Sequence, residues 1–284
     1  GLSTGQRVKP FDDGCAANDE FQSTLGGSHR GELIRDLLRQ RIRMPEPVPN
    51  YLKRPALTEK LTAAITPGSA LLLEAPSGYG KTHALSAAFR ETSRSPDTLR
   101  WLGLTGQEND AGRLLALLEI ALIPPDATSR PSGQQKASSN MDALALLLSD
   151  PYWSAPNGDN VLVVDNVGTV ANPTAIALLQ QLIENIPSGL ALVMVSRRPL
   201  PFETHTFELE GRFHRIGADS LELTRLETFE FFHAVVNRTQ LTTVAVEHLY
   251  SLTEGWITPL GLYHRELDST PESRLPIQET FSVE

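Results

Sequence analysis

From about residue 48 to residue 218 the chain alternates short, almost wholly apolar runs with stretches whose apolar residues recur at helical spacing. The apolar runs are Ser69–Glu74 (SALLLE), Leu99–Leu104, Asn160–Asp165 and Leu190–Ser196, with His214–Ala218 as a fifth. Runs this short and this apolar, set between turn residues, fit strands buried on both faces of a parallel sheet. Between them the spacing predicts helices over Thr58–Ile65, Thr82–Glu91, Ala111–Leu122 and Pro173–Ile186, the last with Asn172 as N-cap and Pro173 at the first helical position. Strand and helix in alternation predict an α/β fold: a doubly wound parallel sheet of five strands.

After Ala218 the strand pattern stops. Thr224-Arg225-Leu226-Glu227 reads as a capping box opening a helix to about Val236, and Val244–Leu252 reads as another, so a small helical domain or lid follows the sheet. Before residue 48, Gly, Ser, Asp and Asn dominate residues 1–28, which predicts a loosely docked arm, and Glu32–Ile42 has helical spacing. Pro124–Ser139, rich in Pro, Ser, Gly and Gln, reads as a disordered loop. The division expected is an arm and helix at 1–47, an α/β domain at 48–218, a helical lid at 219–267 and a polar tail at 268–284.

Composition narrows the function classes. The 284 residues carry 25 Lys and Arg against 34 Asp and Glu, a formal charge of -9. That excess argues against a nucleic-acid surface, which needs clustered basic residues. The one cysteine, Cys15, excludes an internal disulfide and suits a reducing compartment. No apolar run approaches the roughly 20 residues that span a bilayer, and the start lacks a basic-then-apolar leader, so the expectation is a cytoplasmic protein without membrane contact. Gly1 in place of an initiator Met reads as a chain trimmed from something longer.

The chemistry concentrates where the first apolar run gives way to a helix. Ala75-Pro76-Ser77-Gly78-Tyr79-Gly80-Lys81-Thr82 matches the phosphate-loop pattern, with Ala75 where the first glycine usually stands and His83 following. Such a turn aims successive backbone N–H groups at phosphate oxygens, and the helix N-terminus adds its positive dipole. Lys81 then reaches the terminal phosphates, and the Thr82 hydroxyl serves Mg²⁺. Val161-Leu162-Val163-Val164-Asp165 is the expected second half, a buried strand that delivers Asp165 to its C-terminal edge as the Mg²⁺-directing acid. Asn166 follows where a water-orienting carboxylate would help hydrolysis, and an amide is a poor base. Slow turnover is the expectation, with Glu108 or Asp110 as alternative water-positioning acids. Arg197, after the strand Leu190–Ser196, is a candidate for sensing the γ-phosphate. Trp256 and Pro259 are candidates for closing over adenine, against the plainer reading that they pack a helix end.

In order along the chain, "RPALTEKL" at 54–61, "LLLEAPSGYGKTHAL" at 71–85, "RWLGLTGQEND" at 100–110, "VLVVDN" at 161–166, "ALVMVSRRPLP" at 191–201 and "LTEGWITPLGL" at 252–262 resemble the MalT-like branch of the STAND ATPases, the large LuxR-type transcriptional activators. The resemblance covers about residues 48–265. It implies ADP or ATP held between a P-loop domain and a helical domain, and self-association in the nucleotide-bound state. It also implies roles for Lys81 and Thr82 at phosphate and Mg²⁺, for Asp165 as the Walker-B acid and for Arg197 as the sensor arginine. Two departures stand out. The family usually shows two acids where this chain has Asp165-Asn166, and its sensor repeats and C-terminal DNA-binding domain have no counterpart before Glu284. Any DNA contact of its own would therefore come through a domain that this chain lacks. The leading reading is a nucleotide-dependent signalling switch; the rivals are a small-molecule P-loop kinase and a degenerate scaffold that binds partners without nucleotide.

Overall fold

Residues 42–93, 95, 97–122, 137–154 and 159–269 are described by the structure, a computed structural model. The expected arm, the helix at 32–42 apart from Ile42, most of the 124–139 loop and the tail beyond Ser269 lie outside the described residues.

Five strands, β1 (Ala70–Glu74), β2 (Leu99–Gly103), β3 (Asn160–Asp165), β4 (Leu190–Ser196) and β5 (Phe213–Ile216), form one sheet. All pair in parallel, in the order β2-β3-β4-β1-β5. β3 and β4 are buried along nearly their whole length, as the unbroken apolar runs require of strands covered on both faces. On one face Leu71, Leu73, Val161, Val163, Val193 and Val195 pack against α1 (Pro55–Ala64) and α2 (Lys81–Glu91) through Leu57, Leu61, Leu85, Ala88 and Phe89. Phe89 meets Trp101 of β2 edge to face, with ring centres 6.3 Å apart. α3 (Ala111–Leu122), α4 (Asn140–Leu148) and α5 (Pro173–Glu184) pack on one another, with α3 also against β2.

Two short helices, α6 (His205–Leu209) and α7 (Ala218–Leu221), flank β5. The chain then builds a second core. The capping box closes as read: Thr224 accepts from the Glu227 N–H at 3.2 Å while Glu227 accepts from the Thr224 N–H at 2.8 Å, opening α8 (Arg225–Glu230). A π-helical turn, Phe231–Val235, α9 (Thr243–Thr253) and α10 (Ile257–Ser269) complete it. Phe231, Phe232, Leu241, Ala245, Val246, Leu249 and Leu260 are its buried residues, joined by Leu223 and by Leu52 from the segment ahead of α1. Gly255 makes the turn into α10 possible. Its φ is +80°, and a Cβ there would lie 2.1 Å from the Leu223 carbonyl oxygen, to which no side chain could be fitted.

These described residues fall in one compact unit that begins at Ile42. No helix among them is long and apolar enough to cross a membrane.

The helix expected at Thr58–Ile65 begins three residues earlier, because Pro55 takes the first helical position, where its missing N–H is not needed. α4 was not predicted: Ser139, expected inside the loop, is its N-cap and accepts from the Asp142 N–H at 3.1 Å. α10 was not predicted either. Pro259 sits in its first turn, where no intrahelical donor is lost.

Candidate functional site

Strand register brings the motifs to one edge. Glu74 of β1 lies opposite Ser196 of β4, and Val195 lies opposite Asp165 of β3. The phosphate loop, Asn166 and Arg197 therefore leave the sheet side by side at its C-terminal edge, where open α/β sheets bind ligands. Ladder-like bonds extend that edge, from the Ala75 N–H to the Ser196 carbonyl at 3.2 Å and from the Leu104 N–H to the Asp165 carbonyl at 3.0 Å.

Here opens a cavity of about 480 Å³. Its floor is the loop from Ser77 to Ala84, including Gly78, Tyr79, Gly80, Lys81, Thr82 and His83; one wall is Asp165, Asn166 and Val195 to Arg197. The opposite wall comes from the segment before α1 (Val48, Asn50, Tyr51, Leu52 and Arg54) and from the helical core (Phe231, Ile257, Thr258, Gly261 and Arg265). Among these lining residues Arg54, Lys81, Arg197 and Arg265 are basic and Asp165 is the sole carboxylate, in a chain whose formal charge is -9. With Arg54 paired to Glu227, Lys81, Arg197 and Arg265 still outnumber Asp165 along the lining.

Lys81 is 8% exposed, and its Nζ donates to the carbonyl oxygens of Ala75 and Pro76 at 2.5 and 2.8 Å. Burial, then the neighbouring Arg197 charge, lowers its pKa from the ordinary lysine value, against the pull of Asp165. The same burial raises the Asp165 carboxyl, opposed chiefly by its bond from Thr82. Thr82 Oγ1 donates to Asp165 Oδ2 at 2.9 Å. One hydroxyl beside one carboxylate suits Mg²⁺, which takes few protein ligands and completes its shell with phosphate oxygens and water. No cluster of His, Cys, Asp and Glu that would cage a metal occurs among the described residues.

Asn166 lines the cavity in a left-handed conformation (φ 65°, ψ 36°), and its Nδ2 donates to the Leu104 carbonyl at 3.0 Å. The alternative acids are engaged elsewhere. Glu108 is 1% exposed and accepts from the Thr105 N–H and hydroxyl at 2.8 and 3.2 Å, while Asp110 accepts from the Arg113 N–H at 2.9 Å at the start of α3. Neither lines the cavity.

At 24% identity over 230 residues, the chain is similar to the HTH-type transcriptional regulator MalT of Cronobacter sakazakii; the match takes in 76% of this chain and 25% of that regulator. Over that stretch the chain is MalT-like. It spans about a quarter of the length of the curated relative it matches. The solved Walker-type ATPase PABY2304 of Pyrococcus abyssi is similar with a TM-score of 0.49 at 14% identity, over 80% of this chain and 71% of that one. No family model matches the chain.

In this MalT-like region Gly78, Tyr79, Gly80, Lys81, Thr82, His83, Asp165, Asn166 and Arg197 share one cavity. Three candidates from the sequence do not line it. Trp256 bonds instead to the Gly78 carbonyl. Ala75 is buried beneath the loop and contributes its carbonyl to Lys81, and Pro259 lies on α10 while its neighbours Ile257, Thr258 and Gly261 line the wall. The wall from Val48 to Leu52 escaped the sequence reading. Its residues carry neither periodicity nor chemistry, and only packing brings them over the loop. Burial pushes the Tyr51 hydroxyl up to about 12.

Proposed function

We propose that this MalT-like region binds an adenine nucleotide with Mg²⁺ in the cavity and works as a switch that holds the nucleotide with slow hydrolysis. The cavity carries the reading: a phosphate loop with Lys81 at its floor, Lys81, Arg197 and Arg265 against one carboxylate besides the Glu227-paired Arg54, and walls drawn from both hydrophobic cores. Lys81 would exchange its two carbonyl acceptors for phosphate oxygens, which are stronger, charge-assisted partners. Thr82 would hold the metal, Asp165 would orient a metal-bound water, and Arg197 would face the outermost phosphate. A ligand touching both cores biases how they sit, which is what a switch requires. Nucleotide-dependent self-association belongs to the same proposal.

Isothermal titration tests it. Wild type should bind Mg·ADP or Mg·ATP, and Lys81→Ala should lose at least about tenfold in affinity, the scale of a hydrogen bond to a charged group. Equal affinities would remove the phosphate-cradle assignment, and an absence of binding by wild type would favour the scaffold reading.

A further inference from the structure

Two side chains from the start of the helical core's last helix converge on one atom of the phosphate loop. Trp256 Nε1 donates to the Gly78 carbonyl oxygen at 3.1 Å, and Thr258 Oγ1 donates to the same oxygen at 2.6 Å. The Trp256 ring also stacks on Tyr79, with centres 5.8 Å apart and planes 20° from parallel. Burial does not explain this placement, because Trp256 remains 38% exposed. Gly78 is fitted to the contact from its own side. Its φ is +85°, and a Cβ there would stand 2.5 Å from Thr258 Oγ1.

A trans peptide is planar, with its C=O and N–H pointing in opposite directions. Holding the Gly78 carbonyl toward Trp256 and Thr258 therefore turns the Tyr79 N–H away from them. A phosphate loop works by aiming such N–H groups at phosphate oxygens, so the orientation of one peptide decides whether one donor is available. We infer that Trp256 and Thr258 are a positioning pair that locks the Gly78–Tyr79 peptide with its N–H toward the phosphate site, so that phosphate affinity and the seating of α10 are coupled. This rests on the nucleotide reading above and adds what regulates the loop. Coupling free energy is reciprocal: phosphate in the loop tightens the contact by the factor by which the contact raises phosphate affinity. A nucleoside without phosphate does not sense it.

Thr258→Val keeps the branched shape and loses the shorter bond; Trp256→Phe keeps a ring against Tyr79 and loses the N–H. Titrating both variants with Mg·ADP and with adenosine, each should lose about five- to tenfold in ADP affinity, the scale of one hydrogen bond, and Trp256→Phe, whose residue does not line the cavity, should stay within about twofold for adenosine. In wild type, ADP should also reduce acrylamide quenching of the Trp256 fluorescence, taken as the difference from Trp256→Phe, and adenosine should not. ADP affinities equal to wild type in both variants, equal losses for ADP and adenosine, or unchanged quenching would overturn the inference. Lys81→Ala separates the two levels. If wild type binds ADP through Lys81 and the variants match it, the positioning pair alone falls; if wild type binds no ADP, the nucleotide reading falls with it.

Discussion

Asn166 gives up its amide to the Leu104 carbonyl, and that one bond decides what the residue offers to a nucleotide. With Glu108 and Asp110 turned to other partners, Asp165 is left as the cavity's carboxylate, and it already accepts from Thr82. Single-turnover ATP hydrolysis by wild type should accordingly be very slow. In Asn166→Asp the new carboxylate is repelled by the Leu104 oxygen and turns to the cavity, which should accelerate hydrolysis by roughly 10²-fold, the lower end of what general-base assistance supplies. Glu108→Gln should leave the rate unchanged while lowering stability, since its carboxylate is buried against Thr105. Rapid wild-type hydrolysis abolished by Glu108→Gln would refute this assignment. Asn166 was legible as an oddity because it follows an apolar run ending in Asp165. Its left-handed backbone and its partner at the end of the neighbouring strand were not, since both depend on how β2 and β3 pair.

At the scale of elements, the segment before α1 is tied to the helical core by two buried side chains, Leu52 through packing and Arg54 through hydrogen bonds. Arg54 donates through Nε and Nη2 to Glu227 at 2.8 and 3.2 Å, and through Nη1 and Nη2 to the Leu221 and Glu222 carbonyls at 2.7 Å each. Removing the guanidinium leaves those acceptors without it in a site where Arg54 is 8% and Glu227 19% exposed. Arg54→Ala should therefore cost about 3 kcal/mol in chemical denaturation. Burial works against the Glu227 charge, but Arg54 and the Thr224 N–H and hydroxyl together hold its carboxyl below the usual glutamate value. A depressed carboxyl contributes stability that is full above its unfolded pKa of about 4.3 and is lost as pH falls through the lower folded value. The stability of wild type should thus fall between about pH 5 and pH 3 more steeply than that of Arg54→Ala; parallel curves would show that the pair is not the cause. The capping box Thr224–Glu227 was readable from four letters, because a cap is local. That Glu227 also receives Arg54, 173 residues away, was not. α4 and α10 were hidden for a related reason: a polar, proline-rich approach and Pro259 look like breakers until their places at or just inside the helix starts are seen.

Across the whole molecule, the sheet core and the helical core share the cavity as a common boundary, and Leu52 and Arg54 reach from one into the other. The alternation of strand and helix made the sheet legible, but the walls of the cavity come from stretches far apart in sequence, from Val48 to Arg265, and only tertiary packing assembles them. If nucleotide bridges the cores, it stabilises them together. At about 100 times its Kd, Mg·ADP should add about 2.7 kcal/mol to the opening free energy, by mass action on the folded state. Native-state hydrogen exchange resolves where that increment appears. The slowest amides of β1, β3 and β4 and those of α9 and α10 should each slow by about 10²-fold, because a ligand held by both walls is released when either core opens. Protection gained in the strands alone would mean that the helical core opens without releasing nucleotide, and that Phe231, Ile257 and Arg265 line the cavity without holding what it binds.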